Sequence, residues 1–490
     1  MQIYNSMTRK KETFVPVREG KVSMYACGIT AYDLCHIGHA RSAIVFDVLA
    51  RYLRHLKYDL TFVRNFTDVD DKIINRANEL GVDSKEIAEK YMHTFHEDMD
   101  RLKVQRADIE PKATENINEM IKINEKLIAD GNAYATASGD VYFRVRKFAE
   151  YGKLSGRSVD DLRSGARVQP GEEKEDPLDF ALWKAAKPGE PYWDSPWGKG
   201  RPGWHIECSA MSERYLPLPL DIHGGGQDLI FPHHENEIAQ TEACFGKNFC
   251  NYWVHNGFVQ IDSEKMSKSL GNFKTIRDIL EYCLPEVLRY FLLTRHYRSP
   301  IDFNFMAIDE AEKNVKKIYE TLKAISLLLA EDAKADAKSS AVKLPESFTK
   351  ELKELDDAYW AALDDDLNTA AALGHVFGIV HLSNRLLEDK KLSGTVEARA
   401  LLKDIQAKFV EYSKVLGLFD EDPISFLNQL KLFRLQKKNL KVEQIEELMN
   451  KRLTARQNKD FALADSLRKE LEDLGLEIRD TASGAGWDVV

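Results

Sequence analysis

Two short segments carry residues whose types and spacing suit chemistry on phosphate groups. The first reads His-Ile-Gly-His, with His36 and His39 at its ends, and it follows a predicted strand and begins a predicted helix. Free N–H groups at a helix start attract anions, and two imidazoles on one turn can donate hydrogen bonds to phosphoryl oxygens during displacement. Taken alone, such a His pair is more typical of a helix cap or of surface polarity, so it needs a second observation.

The second segment reads Lys-Met-Ser-Lys-Ser and carries Lys265 and Lys268. It lies in the polar loop 262–274, between a predicted strand and a helix predicted over 274–293. Two Lys three residues apart, flanked by Ser hydroxyls, suit a loop that closes on a triphosphate, although an exposed basic loop is the ordinary alternative. Both segments occur in one chain, in this order and each after a strand, which argues against coincidence.

Thiol and imidazole side chains raise the question of a metal site. Six Cys in a chain of 490 residues do not match a disulfide framework, and all six lie in the first 283 residues. Metal binding or catalysis is therefore the favoured role for any pair of them that is functional. The chain has no Cys-x-x-Cys pair, and Cys35, His205, His223 or His234 could be ligands as well as others. The Cys residues interpreted as small buried apolar side chains are Cys35, Cys244, Cys250 and Cys283. The residues alone therefore select no ligand set.

Composition excludes several classes of protein. The 490 residues are 43% hydrophobic and 30% charged, with 15 Pro and 27 Gly, which is typical of soluble globular domains and predicts about three of them. No apolar run approaches the roughly 18 residues of a membrane helix, and the first residues lack the apolar core of a signal peptide. We therefore expect a cytoplasmic protein with no membrane partner.

Charge is unevenly distributed along the chain. The net charge of −10 would ordinarily lower the expectation of a nucleic-acid partner. Residues 431–459, however, carry nine Lys and Arg against three Glu. A basic segment on an acidic protein can still bind phosphates locally.

The first half of the chain alternates strand and helix patterns, which predicts a parallel sheet. The predicted strands are 22–28, 60–63, 218–223 and 251–255, and the predicted helices between the first of them are 40–56 and 72–102. The segment from about 110 to 200 has a different texture, with a helix over 114–131 and a hairpin around 137–143, and we interpret it as an insertion.

The second half is predicted to be largely helical. Apolar residues keep helical spacing from 305 to about 417, interrupted by the low-complexity segment 330–342, which we interpret as a solvated loop or mobile linker. Residues 420–423 mark the next boundary, and 424–490 form a small separate module. We find no tandem repeat.

The two phosphate segments resemble the HIGH and KMSKS signatures of class I aminoacyl-tRNA synthetases, and both match without departure. Further segments are similar to one family of that class, the cysteinyl-tRNA synthetases, over nearly the whole chain. These segments are Cys27, 203–211 (Gly-Trp-His-Ile-Glu-Cys-Ser-Ala-Met), 221–229 (Asp-Ile-His-Gly-Gly-Gly-Gln-Asp-Leu), 231–237 (Phe-Pro-His-His-Glu-Asn-Glu), 459–465 and Gly486-Trp487.

The resemblance implies an α/β Rossmann-like catalytic domain with a parallel sheet and a connective insertion, then an all-α helical bundle and a small C-terminal mixed α/β module. The expected units are the first catalytic half with the HIGH motif (1–110), the insertion (111–200), the second catalytic half (201–250), a stem-contact segment with the KMSKS loop (251–304), a tRNA-binding bundle (305–422) and an anticodon-binding module (423–490).

The resemblance also implies roles for individual residues. His36 and His39 contact ATP phosphates, while Lys265 and Lys268 stabilise the transition state as pyrophosphate leaves, Lys268 also binding ATP. The residues expected to hold adenosine are Gly224, Gly225, Gly226 and Asp228. Trp204 is expected to wall the cysteine pocket and Thr67 to line it, although core packing and a turn remain open as their respective alternatives. The four residues expected to bind one Zn²⁺ are Cys27, Cys208, His233 and Glu237, the last two sharing a helical face at i and i+4.

Zinc makes physical sense because cysteine must be separated from serine, which differs only by sulfur for oxygen. A metal that binds the substrate thiolate discriminates in the first binding step, since zinc takes sulfur readily and a serine hydroxyl resists deprotonation. The expected partners are ATP with Mg²⁺, L-cysteine and tRNA(Cys), and monomer is the expected state. No role is assigned to His205, His223, His234 and His255, which could either surround the metal ligands or act near the α-phosphate.

Two other functions remain open at this stage. A related ligase could transfer activated cysteine to a small amine, as in mycothiol biosynthesis, but it would not need the basic segment after residue 420. A non-catalytic, zinc-dependent RNA-binding protein is the other alternative. The intact pairs His36/His39 and Lys265/Lys268 argue against it.

Overall fold

The computed structural model of the chain describes residues 1–160, 173–261, 264–265, 274–331, 343–481 and 484–489. Most of the polar loop 262–274, including Lys268, and most of the linker 330–342 therefore lie outside the described residues. Of Lys265, only the backbone is described, in a short strand.

A four-stranded parallel sheet forms the centre of the part that is expected to be catalytic (predicted as 1–110 and 201–250), which is called the catalytic half below. In spatial order its strands are Cys250–Asn256, Leu220–Gly226, Lys21–Thr30 and Asp59–Thr67. All four predicted strands and their parallel arrangement are confirmed, and their apolar runs are buried as expected for a sheet covered on both faces. The strand order reverses between Lys21–Thr30 and Leu220–Gly226. This opens a crevice at their carboxyl ends, where such sheets bind ligands.

Helices pack on this sheet and supply the walls of the crevice. The helices of the catalytic half are Ile37–His55, Asp71–Leu80, Ser84–Arg101, Trp204–Tyr215 and Glu235–Phe245, and the helix predicted at the start of the insertion is Ile117–Ala129. A hairpin of Gln2–Asn5 and Lys10–Thr13 packs at the edge strand Cys250–Asn256.

Two helices predicted as continuous are each broken in two. The segment 72–102 is interrupted because Gly81, at φ +67°, ends the first helix in the left-handed conformation, and the Asp83 side chain then caps the second by accepting from the Lys85 N–H at 2.7 Å. The segment 274–293 forms Ile276–Leu280 and Pro285–Leu293, because Pro285 starts a helix rather than continuing one.

The insertion has a sheet and a core of its own. Its antiparallel strands are Ala133–Ala135, Val141–Phe143, Phe180–Ala185 and Gly200–Pro202, so the predicted hairpin is confirmed. Asp71 ties this sheet to the catalytic half by accepting from Lys184 at 2.7 Å and by pairing with Arg201.

A second small sheet carries the start of the Lys segment. The strand Val259–Ile261 pairs in parallel with Ile301–Phe303 and antiparallel with Glu264–Lys265. The Lys segment therefore leaves a sheet that follows directly on the edge strand of the central one.

The remainder is helical until the last residues, as predicted. Its helices are Phe305–Glu331, Glu346–Asp364, Thr369–Glu388, Val396–Leu416, Pro423–Lys437, Val442–Gln457 and Phe461–Asp473, and its two final strands, Leu476–Thr481 and Gly484–Val489, form an antiparallel hairpin. Within the described part of the chain no helix is long and apolar enough to cross a membrane.

A buried charge joins the catalytic half to the bundle. Arg289 is fully buried and donates to Asp47 Oδ2 at 2.5 Å, to the Leu416 carbonyl at 2.7 Å and to the Leu102 carbonyl at 2.9 Å. These three partners belong to a catalytic helix, the end of a bundle helix and the end of a third helix. One guanidinium therefore satisfies acceptors from three separate elements.

We expect Arg289→Met to lower the free energy of unfolding by about 3 kcal/mol, because Asp47 and two carbonyls lose a buried donor. Arg51, which lies 2.9 Å from Asp47, limits the loss. Denaturant unfolding followed by circular dichroism measures it. The exposed ion pair of Arg385 with Glu351 is the control, since Arg385→Met should change stability by less than about 0.5 kcal/mol; equal effects of the two substitutions would contradict the assignment.

Candidate active site and metal centre

A cavity of about 460 Å³ lies at the carboxyl ends of the central strands. Residues from several predicted groups line it, among them His36, His39, Cys27, Trp204 and Asp228. The fold therefore brings the first phosphate segment and part of the predicted metal set to one opening.

The two histidines of the first segment are fixed by the start of their helix. His36 is the N-cap, and its Nδ1 accepts from the Gly38 N–H at 3.0 Å, while His39 Nδ1 accepts from the His36 N–H at 3.2 Å. The two rings stack with centroids 3.7 Å apart. Because both Nδ1 atoms accept, the neutral rings carry their protons on Nε2, which makes each ring a donor for a phosphoryl oxygen.

Main-chain hydrogen bonds join the first segment to the chain that follows the second. The Ile37 N–H donates to the Lys274 carbonyl at 3.2 Å, and the Ile276 N–H donates to the Cys35 carbonyl at 2.9 Å. Lys268 is outside the described residues, but the residues just after its loop are thus held against the helix that begins at His36.

The predicted adenosine residues divide into two groups. Gly226 and Asp228 line the cavity, whereas Gly224 and Gly225 are not among its lining residues. A Cβ at Gly224 would lie 1.9 Å from the Val254 carbonyl oxygen of the adjacent strand. Close packing of the sheet is sufficient reason for a glycine there.

Trp204 and Thr67 also differ in their placement. Trp204 lines the cavity, with its ring 4.2 Å from that of His233. Thr67 is buried and is not a lining residue; its Oγ1 donates to Glu207 Oε2 at 2.6 Å. Burial raises the pKa of Glu207 well above its ordinary value. Sequence reasoning missed Glu207, because a single Glu within a helix gives no signal of a buried partner.

The structure brings the four predicted metal ligands together, with all donor atoms within 4.8 Å of one another. The Cys27 and Cys208 sulfurs are 3.7 Å apart, Cys208 Sγ is 3.6 Å from His233 Nε2, and Cys27 Sγ is 3.4 Å from Glu237 Oε1. His233 Nε2 is 3.0 Å from Glu237 Oε1.

These separations match a tetrahedral zinc site. Zn–S bonds of about 2.3 Å and Zn–N or Zn–O bonds of about 2.0–2.2 Å place two sulfurs about 3.8 Å apart and a sulfur and a lighter atom about 3.5 Å apart. Two thiols, one imidazole and one carboxylate are also the donor types that zinc prefers. The residues present therefore fit the ion.

Local structure explains how Cys27 reaches the others. The pairing of its strand shifts register between Ala26 and Ile29, which is a bulge. A Cβ at Gly28 would lie 1.5 Å from the Asn65 carbonyl oxygen, so the bulge requires glycine, and the Gly28 N–H donates to Asn65 Oδ1 at 2.9 Å. Asn65 is a supporting residue that the sequence did not indicate.

The other ligands come from two helices on one side of the sheet. Cys208 lies in Trp204–Tyr215, and His233 ends a short π-helical turn, Ile230–His234, that leads into the helix of Glu237. The predicted i, i+4 relation of His233 and Glu237 therefore spans the start of that helix.

The buried site favours a cation. The hydrogen bond from Cys27 lowers the pKa of the Cys208 thiol to about 6 despite burial, whereas burial raises that of Cys27. Burial alone would raise the pKa of Glu237, but His223 and His233 hold it well below its ordinary value. For His233 the directions are reversed: burial alone would lower its pKa, but the neighbouring Glu237 and Cys208 raise it to about 10. The lowered pKa values of Cys208 and Glu237 favour a thiolate and a carboxylate side by side at these two buried residues.

Four further histidines surround these ligands. His205 Nδ1 lies 3.0 Å from His233 Nδ1, and His223 Nε2 lies 2.9 Å from Glu237 Oε2. His234 Nδ1 lies 2.8 Å from His255 Nε2. Burial lowers the pKa of His205 and His234 well below the ordinary value and that of His255 to about 3. These three rings are therefore neutral near pH 7.

Three family models match the chain. The model of the class I (C) tRNA synthetase catalytic domain matches residues 13–313, that of the DALR domain 358–420, and that of the cysteinyl-tRNA ligase anticodon binding domain 442–487. The curated cysteine–tRNA ligase of Nitratidesulfovibrio vulgaris (strain Hildenborough) is 67% identical over 490 residues, 100% of both chains. The chain belongs to the cysteine–tRNA ligase family. It is therefore a ligase and a class I aminoacyl-tRNA synthetase.

Other cysteine–tRNA ligases match equally completely. That of Oleidesulfovibrio alaskensis is 64% identical over 489 residues, 100% of both chains. The model of the catalytic domain also confirms the predicted class of fold, a parallel-sheet catalytic domain followed by a helical region.

Solved class I synthetases share the fold of this ligase. Mycobacterium tuberculosis methionyl-tRNA synthetase in complex with methionyl-adenylate has a TM-score of 0.61 at 15% identity, covering 81% of this chain and 92% of that one. A leucyl-tRNA synthetase complex from Agrobacterium radiobacter has a TM-score of 0.58 at 12% identity, covering 84% and 87%. At these identities the likeness concerns the fold alone.

The remaining cysteines of this cysteine–tRNA ligase are not members of the two donor groups of the described residues. All are buried, and burial raises the pKa of each thiol. They are Cys35, Cys244, Cys250 and Cys283. Their surroundings agree with the interpretation as small apolar residues and make them suitable controls.

Proposed function

We propose that this ligase activates L-cysteine with Mg-ATP to cysteinyl-adenylate and pyrophosphate, then transfers the cysteinyl group to the terminal adenosine of tRNA(Cys), by class resemblance through its 2′-hydroxyl. The observation that carries the proposal is the juxtaposition of a zinc-compatible donor set and the His36/His39 pair at one cavity. The donor set accounts for the selection of the amino acid, and the His36/His39 pair accounts for the binding of the phosphates.

Zinc is the expected resident ion, and Cys27, Cys208, His233 and Glu237 would hold it. When bound, zinc supplies preference for the substrate sulfur as a thiolate over the hydroxyl of serine. Cys27 and Trp204 both line the cavity, so the donor set borders the space that a substrate enters. An apolar pocket alone rejects such an analogue weakly, and synthetases that rely on one often add an editing site.

Phosphate chemistry is assigned to positioned donors rather than to a nucleophile. The Nε2 protons of His36 and His39 can donate to phosphoryl oxygens, while Lys265 and Lys268 would neutralise charge as pyrophosphate leaves. Gly226 and Asp228 border the same cavity and support the adenosine role. In-line displacement needs position and charge stabilisation more than a covalent intermediate.

The acceptor is proposed to be tRNA because the last part of the chain is suited to it. The basic segment 431–459 falls largely on the helices Pro423–Lys437 and Val442–Gln457, and six of its nine Lys and Arg side chains are exposed, whereas Arg434 pairs with Glu312 and Arg452 is buried. A ligase for a small amine would have no use for that surface. We further infer that the ligase acts in the cytoplasm as a monomer, with zinc as one ion per chain.

Removal of the metal should abolish the reaction. Treatment with a chelator followed by dialysis removes the ion that selects cysteine. We expect the treated enzyme to lose at least about 90% of cysteine transfer to deacylated tRNA, and added zinc to restore it. Cysteine-dependent ATP–pyrophosphate exchange, measured in parallel, should fall equally.

The controls separate the remaining alternatives. Transfer that persists in fully metal-depleted enzyme would contradict the role of zinc. Zinc-dependent exchange without any charging of tRNA would point instead to the small-amine ligase, and a folded, zinc-loaded protein without exchange would point to a non-catalytic RNA-binding protein.

A further inference from the structure

A second group of donor atoms lies against the first and shares two of its members. Cys27, His223, His234 and Glu237 also present one donor atom each within 4.8 Å of one another. Cys27 Sγ is 3.3 Å from His234 Nε2 and 3.8 Å from His223 Nε2. These separations are again close to the edges of a zinc tetrahedron.

Glu237 faces both groups at once. Its Oε1 lies 3.0 Å from His233 Nε2, and its Oε2 lies 2.9 Å from His223 Nε2. The carboxylate can therefore bind an ion on either side with little movement. Cys27 is similarly placed, since its sulfur is within 3.7 Å of Cys208 and 3.3 Å of His234.

One histidine of the second group, His234, has the outer support that metal-binding histidines need, whereas His223 Nδ1 is buried without a hydrogen-bond partner in the described part of the chain. The Nδ1 of His234 lies 2.8 Å from His255 Nε2, and His255 Nδ1 lies 2.8 Å from Ser6 Oγ. A hydrogen-bond partner at Nδ1 fixes the orientation of the imidazole ring and directs its Nε2 toward the metal. His223 and His234 are completely buried, and neither lines the cavity.

We propose that Cys27, His223, His234 and Glu237 form a second zinc position, which holds the ion when the first set is incomplete. The proposal rests on the proposed function only in taking zinc as the ion of the first set. Both positions are not filled together, because two Zn²⁺ would bring four positive charges against two thiolates and one carboxylate in a buried place. The first set binds more tightly because it supplies two thiolates rather than one.

The second position separates metal retention from substrate selection. An ion held there would share Cys27 with the cavity but would otherwise lie among His223, His234 and Glu237, which are buried and do not line it, so we expect a substrate sulfur to reach it less readily. A ligase that loses Cys208 or His233 as a ligand would then keep its zinc while losing its preference for cysteine.

Metal content of purified full-length variants tests the proposal. The double variant Cys208→Ser/His233→Ala leaves only Cys27 and Glu237 of the first set, too few to hold zinc, yet we expect it to bind one zinc per chain. Adding His234→Ala should weaken zinc binding at least about 100-fold further, beyond the usual cost of losing an outer partner. Zinc is measured by mass spectrometry after dialysis and by competition with a chromophoric chelator.

A matched pair covers the case in which the double variant does not fold. Cys208→Ser/His233→Gln also removes two ligands of the first set but keeps side chains of similar size; adding His205→Ala or His234→Ala to it takes away one further histidine, and only His234 belongs to the proposed position. The variant with His205→Ala should keep one zinc and the variant with His234→Ala should lose it, with circular dichroism confirming that both are folded.

Two results would overturn the proposal. One is loss of zinc from every folded variant of the first set, which would make His223 and His234 supports for Glu237 only. The other is two zinc ions per wild-type chain, which would indicate simultaneous binding. Because metal content is measured without substrate, failure of the wild-type ligase to activate cysteine would leave this test unaffected.

Discussion

Cys208→Ser should raise the KM for cysteine by at least about 100-fold while changing that for ATP by less than about threefold, because the lost thiolate belongs to the selecting site and not to the phosphate site. Ser is nearly the same size, but its hydroxyl stays protonated and is a poor zinc ligand. The measurement is cysteine-dependent ATP–pyrophosphate exchange, with each substrate varied in turn.

Cys244→Ser is the matched control for this substitution. Cys244 is buried in the helix that carries Glu237 but is not a member of either donor group. It should show wild-type KM values for both substrates. An equal rise of the cysteine and ATP constants in folded Cys208→Ser would contradict a role confined to selection.

His36→Asn should lower the kcat of adenylate formation about 100- to 1,000-fold, the usual cost of removing one positioned donor to developing charge. Asn is a good N-cap, so its side chain can still accept from the Gly38 N–H and the helix start is retained. The expected loss therefore concerns the Nε2 donor alone. Single-turnover formation of cysteinyl-adenylate at saturating substrates measures it.

His93→Asn provides the same change at an exposed position. His93 is 77% exposed and forms an ion pair with its helical neighbour Glu97. It should leave the rate unchanged. If His36→Asn lost activity only because the protein unfolds, His36 would be a purely structural cap. A rise in the ATP KM with unchanged kcat would instead indicate ground-state binding.

Much of the fold was predictable because buried strands and amphipathic helices leave periodic patterns. The four central strands are apolar runs bounded by turn residues, and the helical half keeps its spacing to about 417. The helix breaks at Gly81 and Pro285 were missed, although a glycine after a periodic segment and a proline at a helix start are signals of such breaks. The helical spacing of apolar residues on both sides of each break predicted one continuous helix instead.

The metal ligands could not be chosen from the residues alone. Cys27 and Cys35 are both followed closely by a glycine, and His233 and His234 are adjacent, so local pattern does not distinguish them. What separates them is tertiary: a bulge at Gly28 directs Cys27 to the helices, whereas Cys35 is buried in the apolar core. The resemblance to a family supplied the choice that the spacing did not contain.

Other parts of the site depend on contacts with no local signature. Gly224 lies close against the Val254 carbonyl of the adjacent strand, and the Thr67 hydroxyl donates to Glu207. Both contacts join residues far apart in the chain. No pattern within a single segment could have shown either of them.

Main-chain hydrogen bonds between the start of the first signature segment and the chain after the second tolerate most amino-acid substitutions. Ile37 and Ile276 donate through backbone N–H groups to the carbonyls of Lys274 and Cys35, so the joint does not depend on which side chains stand at those positions. Almost any substitution preserves it, and only proline at 37 or 276 removes a donor. Changes of side chain at these positions would therefore leave the contact between the start of the first motif and the chain after the second intact.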